Sequence, residues 1–195
     1  MFSVPFFQGI VQTVHTNLQE LILLLVLLFA ALSDLGERRV SNKLLLRGFA
    51  AIFLVKLAGG SELLLRPLVV SLGFIFLLLP IHRFRMIGGA DIKAAALILF
   101  CRPDALGAGS LFTALLLGAV YSLYKLGTEA ECAGRFRYLR EYVKAYVKRA
   151  ACSGLLGDHA VFPYYSSARD GYRATVPLAA CLFSGTAICL LLASL

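Results

Sequence analysis

The sequence predicts an all-α, polytopic transmembrane bundle of about six spans, and three observations carry that expectation. Hydrophobic residues make up 59% of the 195, charged residues only 15%, and the mean hydropathy is +0.82. A soluble domain carries about 25% charged and about 45–50% apolar residues, so lipid is the principal solvent of this chain. The apolar residues also fall into unbroken runs, which rules out the alternation of a membrane barrel and leaves helices as the way to satisfy the backbone in lipid. Finally, Lys and Arg are segregated among the connections, as membrane insertion requires.

The runs follow one another in order. The first span is expected near Asn17–Asp34 around the apolar block Leu21–Leu32, which is short for the about 20 residues a crossing needs. The helix is therefore expected to reach back into the Phe-rich segment Phe6–Val14. The second covers about Leu44–Leu57 and stops at Gly59-Gly60, and the third about Leu63–Ile81, with Pro67 near its start and Pro80 near its end. A shorter fourth begins at Asp91 and runs to about Cys101. Arg102-Pro103-Asp104 breaks the chain before the fifth, about Ala105–Tyr124, and the sixth is Val176–Leu195.

The formal net charge of +8 is distributed by side, which argues against a nucleic-acid partner. Sixteen of the 19 basic residues fall in one set of connections: Arg38 to Arg47, Arg83 to Lys93, and Lys125 to Arg173. Only Lys56, Arg66 and Arg102 fall on the other. The first set is thereby expected in the cytoplasm and both termini outside. No basic residue precedes Arg38, so no cleaved signal peptide is expected. Residues 1–195 read as a single membrane domain without a linker or internal repeat. The one sizeable extramembrane piece is the basic loop 125–175. Within it Phe136, Leu139, Val143, Tyr146, Val147 and Ala150 follow helical spacing, with Arg137, Arg140, Lys144 and Lys148 toward the other side. Such a helix is expected to lie on anionic lipid.

Cys101, Cys132, Cys152, Cys181 and Cys189 make no CxxC pair and no Cys/His cluster, so they read as small apolar residues and no metal or cofactor is expected. His82, between Pro80 and two arginines, reads as a solvated loop histidine. No Ser/His or Cys/His pairing suggests a nucleophile.

Two acids stand out. Asp34 ends the first span and Asp91 opens the fourth, so two complete spans separate them and both fall on the same membrane face. Ionisable groups at span ends and within spans tend to mark function. Each has a structural alternative: Asp91 as a helix N-cap, Asp34 as a span end at the interface. Around them run Asp-Leu-Gly-Glu-Arg-Arg-Val-Ser-Asn (34–42) and Gly-Gly-Ala-Asp-Ile-Lys (88–93). These resemble the two signatures of type IV prepilin peptidases, Asp with a basic stretch and Ile-Pro-Asn, then Gly-x-Gly-Asp-x-Lys. Val176-Pro177-Leu178 through Gly185 looks like that family's final span. Ser41 stands where the family has Pro, and Ala90 where the motif has its second Gly.

The resemblance implies an aspartic endopeptidase of the membrane GxGD type, in a bacterial or archaeal cytoplasmic membrane, with Asp34 and Asp91 catalytic. Its substrate would be a prepilin or pseudopilin with a basic leader, and its closest form the short, peptidase-only, pilus-assembly one, without methyltransferase activity. Gly88, Gly89 and Ala90 would keep the backbone slim beside substrate or simply form a tight turn. Asn42, with Ser41, would cap the second span, and Lys93 would tune Asp91 or snorkel to headgroups, the latter favoured. Asp34 near a helix C-terminus and Asp91 near an N-terminus would bias a shared proton toward Asp34. A catalytically silent assembly factor and a small ion- or proton-coupled transporter are the competing classes; the transporter predicts acids near the bilayer midplane.

Overall fold

The first apolar run forms one long helix in the computed structural model, which describes residues 4–37, 40–59, 64–83, 87–128, 140–141, 143–145 and 176–195. This helix, α1 (Val4–Glu37), begins in the Phe-rich segment and runs one turn past Asp34. Leu18, Leu21, Leu25, Phe29, Leu32 and Leu35 form an exposed apolar stripe, while Leu23, Val26, Leu27, Ala30 and Ala31 are buried. Apolar residues on both sides are what a helix between lipid and protein requires, because the outer face meets hydrocarbon and the inner face meets other helices. Asp34 lies three and four residues beyond Ala31 and Ala30, so helical periodicity continues the buried stripe into this carboxylate.

The remaining runs form α2 (Asn42–Ala58), α3 (Leu65–Arg83), α4 (Gly89–Cys101), α5 (Ala105–Thr128) and α6 (Leu178–Ser194). The all-helical bundle matches the sequence expectation run for run. Gly59 ends α2, and α3 continues through Pro80 for a further turn. The segments Thr13–Glu37, Leu65–His82 and Ala105–Lys125 are long and apolar enough to cross a membrane, and α6 is a shorter apolar helix. The chain is a membrane protein.

α4 departs from a simple span. Its 13 residues rise only about 20 Å, short of the about 30 Å hydrocarbon core. It packs against every other described helix, and all residues from Ala94 to Cys101 are buried. A helix apolar all round belongs inside, and α4 is the central post of the bundle. α3, by contrast, packs only against α4 among the described residues.

Because α4 stops short, its last carbonyls need partners inside the protein. Lys56 of α2 supplies one. Its side chain is turned inward, 8% exposed, and Nζ donates to the Cys101 carbonyl oxygen at 3.1 Å. A cation there also complements the negative end of the α4 dipole. One residue earlier on α4, the Phe100 ring is stacked on Phe49 at 4.2 Å and on Phe53 at 6.5 Å, with the Lys56 ammonium 5.9 Å from its centroid. The Arg102-Pro103-Asp104 break follows, where the Arg102 guanidinium pairs with Glu20 of α1 at 3.4 Å and Asp104 at 3.7 Å. Phe100→Ala is expected to lower stability by on the order of 3 kcal/mol, since Phe100 is wholly buried at the crossing of α2 and α4. Thermal unfolding in detergent, compared with the wild type, checks this.

α5 and α6 form the most extensive helix pair among the described residues. Their backbones meet at Gly185, where a Cβ would fall 2.5 Å from the Ala114 nitrogen and 2.9 Å from its Cβ. Small residues permit this approach, the usual basis of helix association in lipid. Cys101 and Cys181 are free and buried and Cys189 free and partly buried, while Cys132 and Cys152 lie outside the described residues. The expected amphipathic helix within 125–175 also lies mostly outside them; residues 140, 141 and 143–145 are helical and exposed.

Candidate active site

Five element ends converge at one end of the bundle: the last turns of α1 and α3 and the first turns of α2, α4 and α6. The contacts between them come from residues far apart in sequence.

Asp34, half-buried, points from the last turn of α1 to the start of α6, where the Ala179 backbone N–H donates to Oδ2 at 3.2 Å. Pro177 is the N-cap of α6, so this N–H belongs to the orphan donors of the first turn. A carboxylate beside a helix N-terminus is stabilised by about 0.3–1 kcal/mol, more when partly buried. The sequence places Asp34 only at a helix C-terminus, which disfavours its charge. The α6 N-terminus supplies the opposite field, a contribution to Asp34 that the sequence alone does not place.

Asp91 sits on α4, which packs directly on α1, and the two carboxylates are near enough for their charges to act on each other. Asp91 is not the N-cap of its helix. That position is Gly88, whose carbonyl accepts from the N–H groups of Asp91 at 3.1 Å and Ile92 at 3.3 Å. Asp91 is the third residue inside, and its carboxylate folds back against Gly88, the place of the acid in a capping box. That fold-back explains Gly88. A Cβ on it would lie 2.7 Å from Asp91 Oδ2, too close for any side chain unless the carboxylate moved away. The φ of Gly88 is −65°, so the requirement is space and not an unusual backbone. Gly89 and Ala90 form the first turn of α4.

Lys93 is exposed but does not simply reach for headgroups. Its Nζ donates to Asn42 Oδ1 at 3.0 Å, joining the start of α2 to the N-terminal half of α4 and thereby the ends of the two sequence signatures. Ser41 is the N-cap of α2 through its carbonyl, which accepts from Leu44 and Leu45, without a bond from its hydroxyl. Asn42 serves the Lys93 link instead of a cap. The structure therefore brings Asp34, Asp91, Gly88, Gly89, Ala90, Lys93 and Asn42 to one end of the bundle.

Two participants escaped the sequence reading. The α6 N-terminus on Asp34 is signalled only by Val176-Pro177 opening a span on the same face. The other is His82, which is exposed, yet its Nδ1 lies 3.1 Å from the Ile87 carbonyl oxygen.

The helices define a polytopic membrane protein whose central helix presents one acid of a converging pair. Residues 21–123 match the model of the type IV leader peptidase family, more than half the chain, and the chain belongs to that family. It is a leader-peptidase-type protease. No curated protein and no solved structure matches it. The matched segment holds both signatures and ends before α6.

Proposed function

We propose that this protease is an aspartic endopeptidase in which Asp34 and Asp91 together activate water and cut the basic leader from prepilin-like proteins. The observation that carries the reading is the convergence of these carboxylates, from α1 and α4, at one end of the bundle. One carboxylate, without the proton, takes a proton from water, whose oxygen adds to the scissile carbonyl carbon. The other, protonated, donates to the carbonyl oxygen. When the tetrahedral adduct collapses, the C–N bond breaks and the pair returns a proton to the departing amine. Water is consumed, and no covalent enzyme intermediate forms.

The site is at the cytoplasmic face in this reading, because the sequence joining the helix ends that form it carries the basic bias, with Arg38, Arg39 and Arg85. A prepilin-like substrate, with a short basic leader, a Gly before the cut and an apolar helix after it, would lie in the bilayer with its leader junction at that level. Acids at a bundle end favour this reading over ion transport, which calls for acids near the midplane. Co-expression with a prepilin-type substrate, followed by electrophoresis, tests it. The expected result is a shift to the leaderless form, and an unshifted substrate in membranes containing folded protein would contradict it.

A further inference from the structure

We propose that His82 is a positioning residue of the peptidase site, holding the turn from which Asp91 projects. The inference rests on the reading of Asp91 as a catalytic acid and adds a residue outside both signatures.

His82 occupies the last turn of α3. Its Nδ1 is 3.1 Å from the Ile87 carbonyl oxygen, and since a carbonyl only accepts, Nδ1 carries the proton and donates. The same ring covers the next part of the turn. A Cβ on Gly89 would lie 3.2 Å from His82 Cε1 and 3.6 Å from Nε2, so the imidazole lies against this backbone. The adjacent glycine, Gly88, lies against the folded-back Asp91 carboxylate. The short stretch Ile87-Gly88-Gly89 thus meets both an imidazole from α3 and the carboxylate it positions.

Ile87 and Gly88 precede α4, the Gly88 carbonyl is tied to the first turn of the helix, and two glycines make such a stretch conformationally free. On its other flank α4 has the Lys93–Asn42 bond. His82 is the matching polar tie from α3, which packs only against α4 among the described residues. Without it, the Ile87–Gly89 backbone has more ways to turn, and the carboxylate no longer keeps one place relative to Asp34. Reacting groups displaced by about 1 Å lose about 10²-fold in rate.

The test uses the full chain in detergent with a prepilin-type substrate, comparing His82→Ala, His82→Asn and His82→Gln with the wild type and Asp91→Asn. The amide N–H of Asn falls near the place of Nδ1 and can reach Ile87, whereas that of Gln falls near Nε2 and cannot. The expected result is a tenfold or larger fall in kcat for His82→Ala and His82→Gln, KM within about twofold, and kcat recovering most of the way in His82→Asn. A general structural role would lower folded yield and melting temperature in all three variants and would not separate Asn from Gln. Wild-type kcat in His82→Ala, or equal losses in all three variants, would overturn the proposal. Should His82→Ala fail to accumulate, the Asn–Gln comparison decides alone. An active Asp91→Asn would sink the catalytic reading itself, whereas an inactive Asp91→Asn beside a fully active His82→Ala would sink only the role of His82.

Discussion

Asp34→Asn and Asp91→Asn should each reduce leader removal by about 10²–10⁴-fold, the contribution of a positioned acid or base, while the protein still inserts and folds. Asn is the informative replacement because each acid has a structural task as well. Asp34 accepts the Ala179 N–H at the start of α6, and the Asp91 carboxylate folds back against Gly88. An amide of the same shape can still accept the Ala179 bond and lie against Gly88, so Asn keeps the two helix starts in place and removes only the ability to carry a charge or give up a proton. Asp34→Ala would remove the α6 cap too and confuse a loss of chemistry with a shifted helix. Immunoblots of leader-bearing and leaderless substrate in membranes, with the melting temperature of each purified variant, separate the two effects. Appreciable cleavage by either Asn variant would remove that acid from the mechanism.

The second large effect is expected at Gly88, a residue that touches no substrate in this account. Gly88→Val places branched carbon where Asp91 Oδ2 now sits 2.7 Å from the Cβ position. The backbone at Gly88 is ordinary and open to any residue, so the turn itself tolerates Val and the carboxylate is what must yield. Displacing it by about 1 Å from its partner is expected to lower kcat by about 10²-fold. Stability should change little, since Gly88 is exposed. Gly89→Ala makes a useful contrast. Its Cβ meets only the edge of the exposed His82 ring at 3.2 Å, and the smaller loss expected there comes through the ring. Steady-state cleavage in detergent, with kcat and KM separated, checks both.

Much of this was legible in the sequence, and the missing parts share a physical cause. The six runs became six helices because lipid leaves the backbone no alternative, and parity alone brought Asp34 and Asp91 to one end. Periodicity tells which face of a helix a residue occupies, not what stands opposite. Lys93 looked like a snorkelling lysine because its partner Asn42 lies on another helix. His82 looked solvated, and it is exposed, yet its Nδ1–H is committed to Ile87. The field at Asp34 was only partly visible because α6, distant in sequence, brings an N-terminus to it. The short run of α4 read as one more span, although its length marks a helix enclosed by the others, with Lys56 turned inward to finish it.

The central claim is that the two carboxylates act as one unit. It is tested most directly by the cleavage rates of four purified proteins on one substrate: the wild type, Asp34→Asn, Asp91→Asn and the double variant. Groups that share a proton and a single step lose nearly everything when either is removed, so their effects are far from additive. The account predicts that both single variants fall close to the background rate and that the double variant falls no further. Losses that multiply, with the double variant slower than the wild type by the product of the two single effects, would contradict it and leave two acids acting independently.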